Sequence, residues 1–94
     1  MPLERAEILV KEGLEEDFVV AMNEHAIPIL SGASGVNSVK LGRGVENPSK
    51  FIMLVDWESM DAHTAFRSSQ AYPEFSKQFG PFSKGGAMEH FNML

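Results

Sequence analysis

The segment Phe51–Trp57, FIMLVDW, is apolar on both faces of the extended chain it predicts. Side chains in a strand alternate sides with period two. Phe51, Met53, Val55 and Trp57 therefore share one face, and Ile52 and Leu54 share the other. A sheet covered on one side only should alternate to polar residues on the side that meets water. This strand does not, so it demands cover on both faces. Leaving Ile- or Leu-class side chains in water forgoes roughly 1.5–3 kcal/mol each. The chain has 94 residues, enough for one small core of two layers. Residues 1–94 therefore read as a single domain with no spare element for the second face. The expected cover is another copy of the chain, in a homodimer packed sheet to sheet.

The rest of the chain supplies one apolar layer for the first face. RAEILVK, from Arg5 to Lys11, is a half-buried strand with Ala6, Ile8 and Val10 inward and Arg5, Glu7, Leu9 and Lys11 outward. Leu14, Phe18, Met22, Ala26 and Ile29 form one stripe and predict a helix over 14–30, kinked or ended by Pro28. Glu15, Glu16 and Asp17 fall in its first turn, where the helix dipole favours negative charge. They read as a solvated N-terminal turn rather than an acidic metal site.

Ser31 to Gly35 is a turn. It lacks the Lys-Ser/Thr of a phosphate cradle, and Val36 stands where a nucleophile elbow needs its last Gly. Val36 to Arg43 is a second strand, 44–49 a polar hairpin loop, and Phe51 to Trp57 the third strand. Ser59 caps a helix that opens near Met60, Ser68-Ser69 interrupts it, and Pro73 opens a further helix carrying Phe75 and Phe79. Gly80-Pro81 stops that one, and Ala87 to Leu94 is the last strand. The order β-α-β-β-α-β predicts an α+β, ferredoxin-like plait, an antiparallel four-stranded sheet with helices on one face.

Composition narrows the function. A net charge of −5 removes the electrostatic attraction on which nucleic-acid binding rests. No apolar run approaches the roughly 18 residues of a membrane span. The N-terminus shows no secretory signal pattern, and with no Cys there are no disulfides or thiolate ligands, so a cytoplasmic address is expected. The three histidines, His25, His63 and His90, carry no His-x-His or His-x-x-x-His spacing, so no metal is expected.

FIMLVDWESMDAH and the following FRSSQAYPEF resemble the antibiotic biosynthesis monooxygenase family of dimeric α/β barrels. The resemblance lies in Trp57, Glu58-Ser59, Ala62-His63, Ser68-Ser69, Tyr72 and the closing Glu89-His90-Phe91. It extends through element order over the whole chain. It implies the plait and its sheet-to-sheet pairing into a dimeric barrel. The haem-degrading branch, with an Asn on its first strand and a His about ten residues after the Trp, fits poorly, because the first strand holds no Asn and Arg67 stands ten residues after Trp57.

The better match implies an oxygenase that needs no cofactor and acts on a small aromatic or quinol. In that chemistry the substrate supplies the electrons, and the protein holds a flat molecule, accepts a proton and excludes water. Trp57 and His63 are the candidates for that chemistry, with Phe18, Met22, His25, Met53, Phe66, Tyr72 and Phe75 as candidate pocket walls. His90 reads as structural. The alternatives are a non-catalytic dimeric module for a small apolar ligand, with a place in stress response or regulation, and the isomerase or lactone chemistry of related barrels.

Overall fold

The computed structural model describes residues Met1–Leu94. Strand β1 (Pro2–Val10) leads through Gly13 into helix α1 (Glu15–Ala21), a wider π turn (Met22–Ala26) and helix α2 (Ile27–Ser31). Strands β2 (Val36–Arg43) and β3 (Lys50–Trp57) form a hairpin. Helices α3 (Met60–Arg67) and α4 (Ala71–Lys77) and a short 3₁₀ turn (Gly80–Phe82) precede strand β4 (Ser83–Asn92).

The sheet order is β2-β3-β1-β4, and all three pairings are antiparallel. Helices cover one face, so the chain is the α+β, ferredoxin-like plait that the element order predicts. No helix is long and apolar enough to cross a membrane.

Alternation sets the core. Residues of β1 at even positions are buried, as are those of β3 at odd positions. Ala6, Ile8, Val10, Phe51, Met53, Val55 and Trp57 meet Phe18, Met22, Ala26 and Leu30 from the first helical segment and Phe66 and Phe75 from the second. Trp57, Phe18, Phe51 and Met22 are the largest fully buried side chains.

Three details depart from the sequence reading. The helical run predicted over 14–30 is not ended by Pro28 but continues to Ser31. The chain inserts a π turn, with Ile27 N–H bonded to the Met22 carbonyl, and Pro28 falls in the first turn of α2. The wider turn removes the close i−4 carbonyl that a proline ring would strike. Leu30 rather than Ile29 then completes the buried stripe. The last strand begins at Ser83, four positions earlier than Ala87, with a bulge where Leu9 pairs with Gly85 and Val10 with Ser83.

The acidic first turn is used locally. Glu15 accepts from the Gly13 amide and the Ser49 hydroxyl, and Glu16 pairs with Arg43. The Ser49 bond is the main reason the Glu15 carboxyl lies below its ordinary range.

The far side of the sheet carries Leu3, Leu9, Ile52 and Leu54, all half-buried, and the exposed Phe91. Around them stand Arg5, Lys40 and Lys50, and Glu7, Asp56 and Glu89. Lys50 and Arg5 both reach Glu7, and Arg5 also reaches Glu89.

Candidate functional site

Helices α3 and α4 stand over the β1–β4 side of the sheet, and between them and the strands lies a cavity of about 370 Å³. Its walls are mainly apolar: Ala6, Ile8, Leu30, Met53, Trp57, Phe66, Phe75 and Phe79. Gly85, Gly86 and Ala87 keep its β4 side low. A side chain at Gly86 would collide with the Glu7 carbonyl oxygen, so close strand pairing also demands glycine there. Arg67 and Tyr72 lie at the margin, the guanidinium 4.8 Å from the Tyr72 ring centre.

One corner of this apolar space is polar, and it is built from three strands and one helix. Glu4 has the same strand parity as Ala6, Ile8 and Val10, so it points inward and is only 4% exposed. On β4 its direct cross-strand partner is His90. On the other side its partner is Val55, two residues before Trp57, which places the indole diagonally across from the carboxylate.

His63 arrives from above. Trp57 ends β3, and Ser59 caps α3 by accepting from the Ala62 amide at 3.2 Å. That corner places His63 in the first turns of α3, with its ring edge-on to Trp57 at 5.3 Å between centres and 84° between planes.

The contacts converge on one oxygen. Trp57 Nε1–H donates to Glu4 Oε1 at 3.0 Å. His63 Nε2 lies 3.4 Å and His90 Nε2 3.6 Å from the same Oε1. The two imidazoles stand 4.4 Å apart between ring centres, at 68°. Neither Nε2 makes a hydrogen bond, although both atoms are shut off from solvent. Burial pushes the His63 pKa below its ordinary 6.5. The Glu4 charge opposes this, while His90 and Arg67 add to it. The shift favours the neutral imidazole. The corner is a carboxylate held by an indole N–H, with a neutral imidazole in reach to take or hand on a proton.

Of the candidates read from sequence, Trp57, His63, Met53, Phe66, Tyr72 and Phe75 line this one cavity. Phe18 and Met22 do not. Both are fully buried core side chains, and Phe18 packs on Phe51, 4.7 Å between ring centres. His25 is exposed, on the outer side of the π turn. The sequence reading missed Glu4 altogether and gave His90 only a structural part. The strand read from sequence began at Arg5, one residue past Glu4; in the structure it begins at Pro2, and Glu4 falls among inward positions that are otherwise apolar. His90 needed the β1–β4 register, which no local pattern fixes.

The structure is thus a ferredoxin-like plait with an apolar cavity, and with a carboxylate, an indole and two imidazoles gathered at one corner. The comparisons with known proteins give the family: residues 1–78 match the model of the family described as antibiotic biosynthesis monooxygenase, and the chain belongs to it. The chain is 36% identical to the uncharacterized protein YczJ of Bacillus subtilis (strain 168) over 96 residues, covering 97% of each chain. A solved structure of a candidate antibiotic biosynthesis monooxygenase from Bordetella bronchiseptica is 33% identical and superposes with a TM-score of 0.92, covering 99% of this chain and 96% of that one. A structure from Caulobacter crescentus CB15, 17% identical with a TM-score of 0.84, covers 99% of this chain and 89% of its own and shares the fold.

Proposed function

We propose that the protein is a monooxygenase that acts on a small aromatic or quinol substrate with no added cofactor. The single observation that carries this reading is the Glu4–His63–Trp57 corner at the wall of an apolar cavity. A hydroquinone lying against Phe66, Phe75 and Met53 would present a hydroxyl to that corner. His63, neutral and adjacent to a carboxylate, suits the role of general base. The electron-rich anion then reacts with O₂ itself. The balance is one hydroquinone and one O₂ giving one hydroxyquinone and one water, with all four electrons from the substrate. Apolar walls limit access of water to the anion.

Family membership supports the reading at the level of the class, and the cavity volume suits a ring of one or two cycles. A non-catalytic small-ligand module of the same fold would use the same apolar walls but would have no use for a buried carboxylate. Burying one without strong partners is costly.

The working unit in this proposal is a homodimer joined through the open sheet face. Leu3, Ile52, Leu54 and Phe91 give that face its apolar centre, and charges of both signs surround it, which suits pairing with its own copy about a two-fold axis.

The test is oxygen uptake with a panel of hydroquinones and hydroxynaphthalenes. One O₂ consumed per quinol, with uptake reduced about 10²-fold or more in His63→Ala and Glu4→Gln, is expected. Folded protein that binds these compounds without consuming oxygen would establish the binding module instead.

A further inference from the structure

We propose that Glu4, His63 and His90 form a binding site for a divalent first-row transition ion, of the two-histidine, one-carboxylate kind. The inference goes beyond the oxygenase reading and stands whether or not quinols are turned over.

Three observations carry it. The first is distance. Zinc bonds to imidazole nitrogen and carboxylate oxygen are about 2.0–2.2 Å, which places neighbouring ligand atoms of a tetrahedron about 3.3–3.6 Å apart. Glu4 Oε1 lies 3.4 Å from His63 Nε2 and 3.6 Å from His90 Nε2, and all three ligand atoms lie within 4.8 Å of one another.

The second is the state of the nitrogens. The Nε2 atoms of His63 and His90 are inaccessible to solvent and have no hydrogen-bond partner, and His63 is only 9% exposed as a residue. Buried polar atoms are almost always satisfied, so two unpartnered nitrogens beside one carboxylate oxygen point to a common partner. A cation satisfies all three groups at once.

The third is the surround. Trp57 Nε1–H holds Glu4 Oε1, the outer hydrogen bond that orients a ligating carboxylate. Glu4 and His63 line the cavity, so a ligand in that space can reach the ion's remaining position. Nitrogen and carboxylate donors without thiolate suit Zn²⁺, Co²⁺, Ni²⁺, Cu²⁺ or Fe²⁺ rather than Ca²⁺ or Mg²⁺.

Ion and proton use the same atoms. An ion on His63 and Glu4 withdraws the base that the cofactor-free route needs, so Zn²⁺ acts as an inhibitor of that route and chelation restores it.

The experiment is a titration of the purified, chelator-treated protein with Co²⁺, followed by its visible d–d absorption and by the imidazole nitrogen signals in NMR. The expected result is one ion per chain, bands typical of four- or five-coordinate Co²⁺, displacement by Zn²⁺, and shifts confined to His63 and His90. Glu4→Gln and His90→Gln should each weaken binding by at least about 100-fold, Trp57→Phe by about 10-fold or more, and His25→Ala not at all.

Circular dichroism checks that each variant is folded. His90 is on an edge strand, so His90→Gln keeps the test available should Glu4→Gln unfold. A folded wild type that leaves Co²⁺ in its octahedral aquo form, or binding that survives His90→Gln, overturns the site. Neither readout involves oxygen or quinol, so failure here is distinct from failure of the oxygenase.

Discussion

Trp57 Nε1–H donates to Glu4 Oε1 at 3.0 Å, across 53 residues of sequence. This bond ties the end of β3 to the start of β1. It also anchors the carboxylate on which His63 and His90 converge.

Trp57→Phe removes that donor and leaves a buried carboxylate with a weaker shell. A loss of about 1–3 kcal/mol is expected in urea denaturation. Glu4→Gln alone should also destabilise, and the double variant should lose less than the sum of the two, because residues that share a hydrogen bond couple. Additive losses would show that the bond contributes nothing.

His63 has a lower pKa in the folded protein than its ordinary 6.5, chiefly through burial. The folded state therefore binds fewer protons than the unfolded state in the window just below that value. Stability is retained above pH 6.5 and declines as the pH falls from there toward the folded-state pKa. Below that pKa the contribution levels off. NMR titration of the His63 imidazole should give a midpoint below 6.5. A midpoint at or above 6.5 would reverse the sign of the effect.

Gly35 has a φ of +86°, and a Cβ there would collide with the Cβ of Ala62. The glycine lets the β2 entry pass under α3, where the Gly35 carbonyl accepts the Glu58 amide at 2.7 Å. Gly35→Ala should cost about 1–3 kcal/mol through the backbone conformation and the clash together. Adding Ala62→Gly should relieve only the clash, so part of the loss should persist in thermal unfolding. Full recovery would mean that the left-handed backbone carries no strain.

The open face makes a prediction about mass. Light scattering of the wild type should give a dimer at micromolar concentration. Leu54→Glu places a charge between Arg5 and Lys40, beside Ile52, and should shift the population to monomer while leaving the helix-side core in place. A folded wild-type monomer would remove the pairing.

Much of the fold was legible because it rests on local periodicity. Alternation in RAEILVK and FIMLVDW assigned the buried faces of β1 and β3, and Ser59 marked the start of α3. Trp57 and His63 were singled out through the family resemblance, and the short strand-to-helix corner between them brings their rings together. Pro28 does not end the helix, since it falls in the first turn of α2 after a π turn.

The sequence by itself determined the element order, the two-faced demand of β3 and the family resemblance. Each follows from neighbours along the chain or from the period of a single element. Only the tertiary structure decided that Glu4 faces His90, that His25 lies outside, and that Phe18 and Met22 fill the core rather than the cavity. The reason is register. Pairing β1 with β4 joins segments some eighty positions apart, and a slip of one residue would turn Glu4 or His90 to the opposite face. Packing of the whole sheet against its helices fixes that alignment, and with it the one oxygen where the indole and both imidazoles meet.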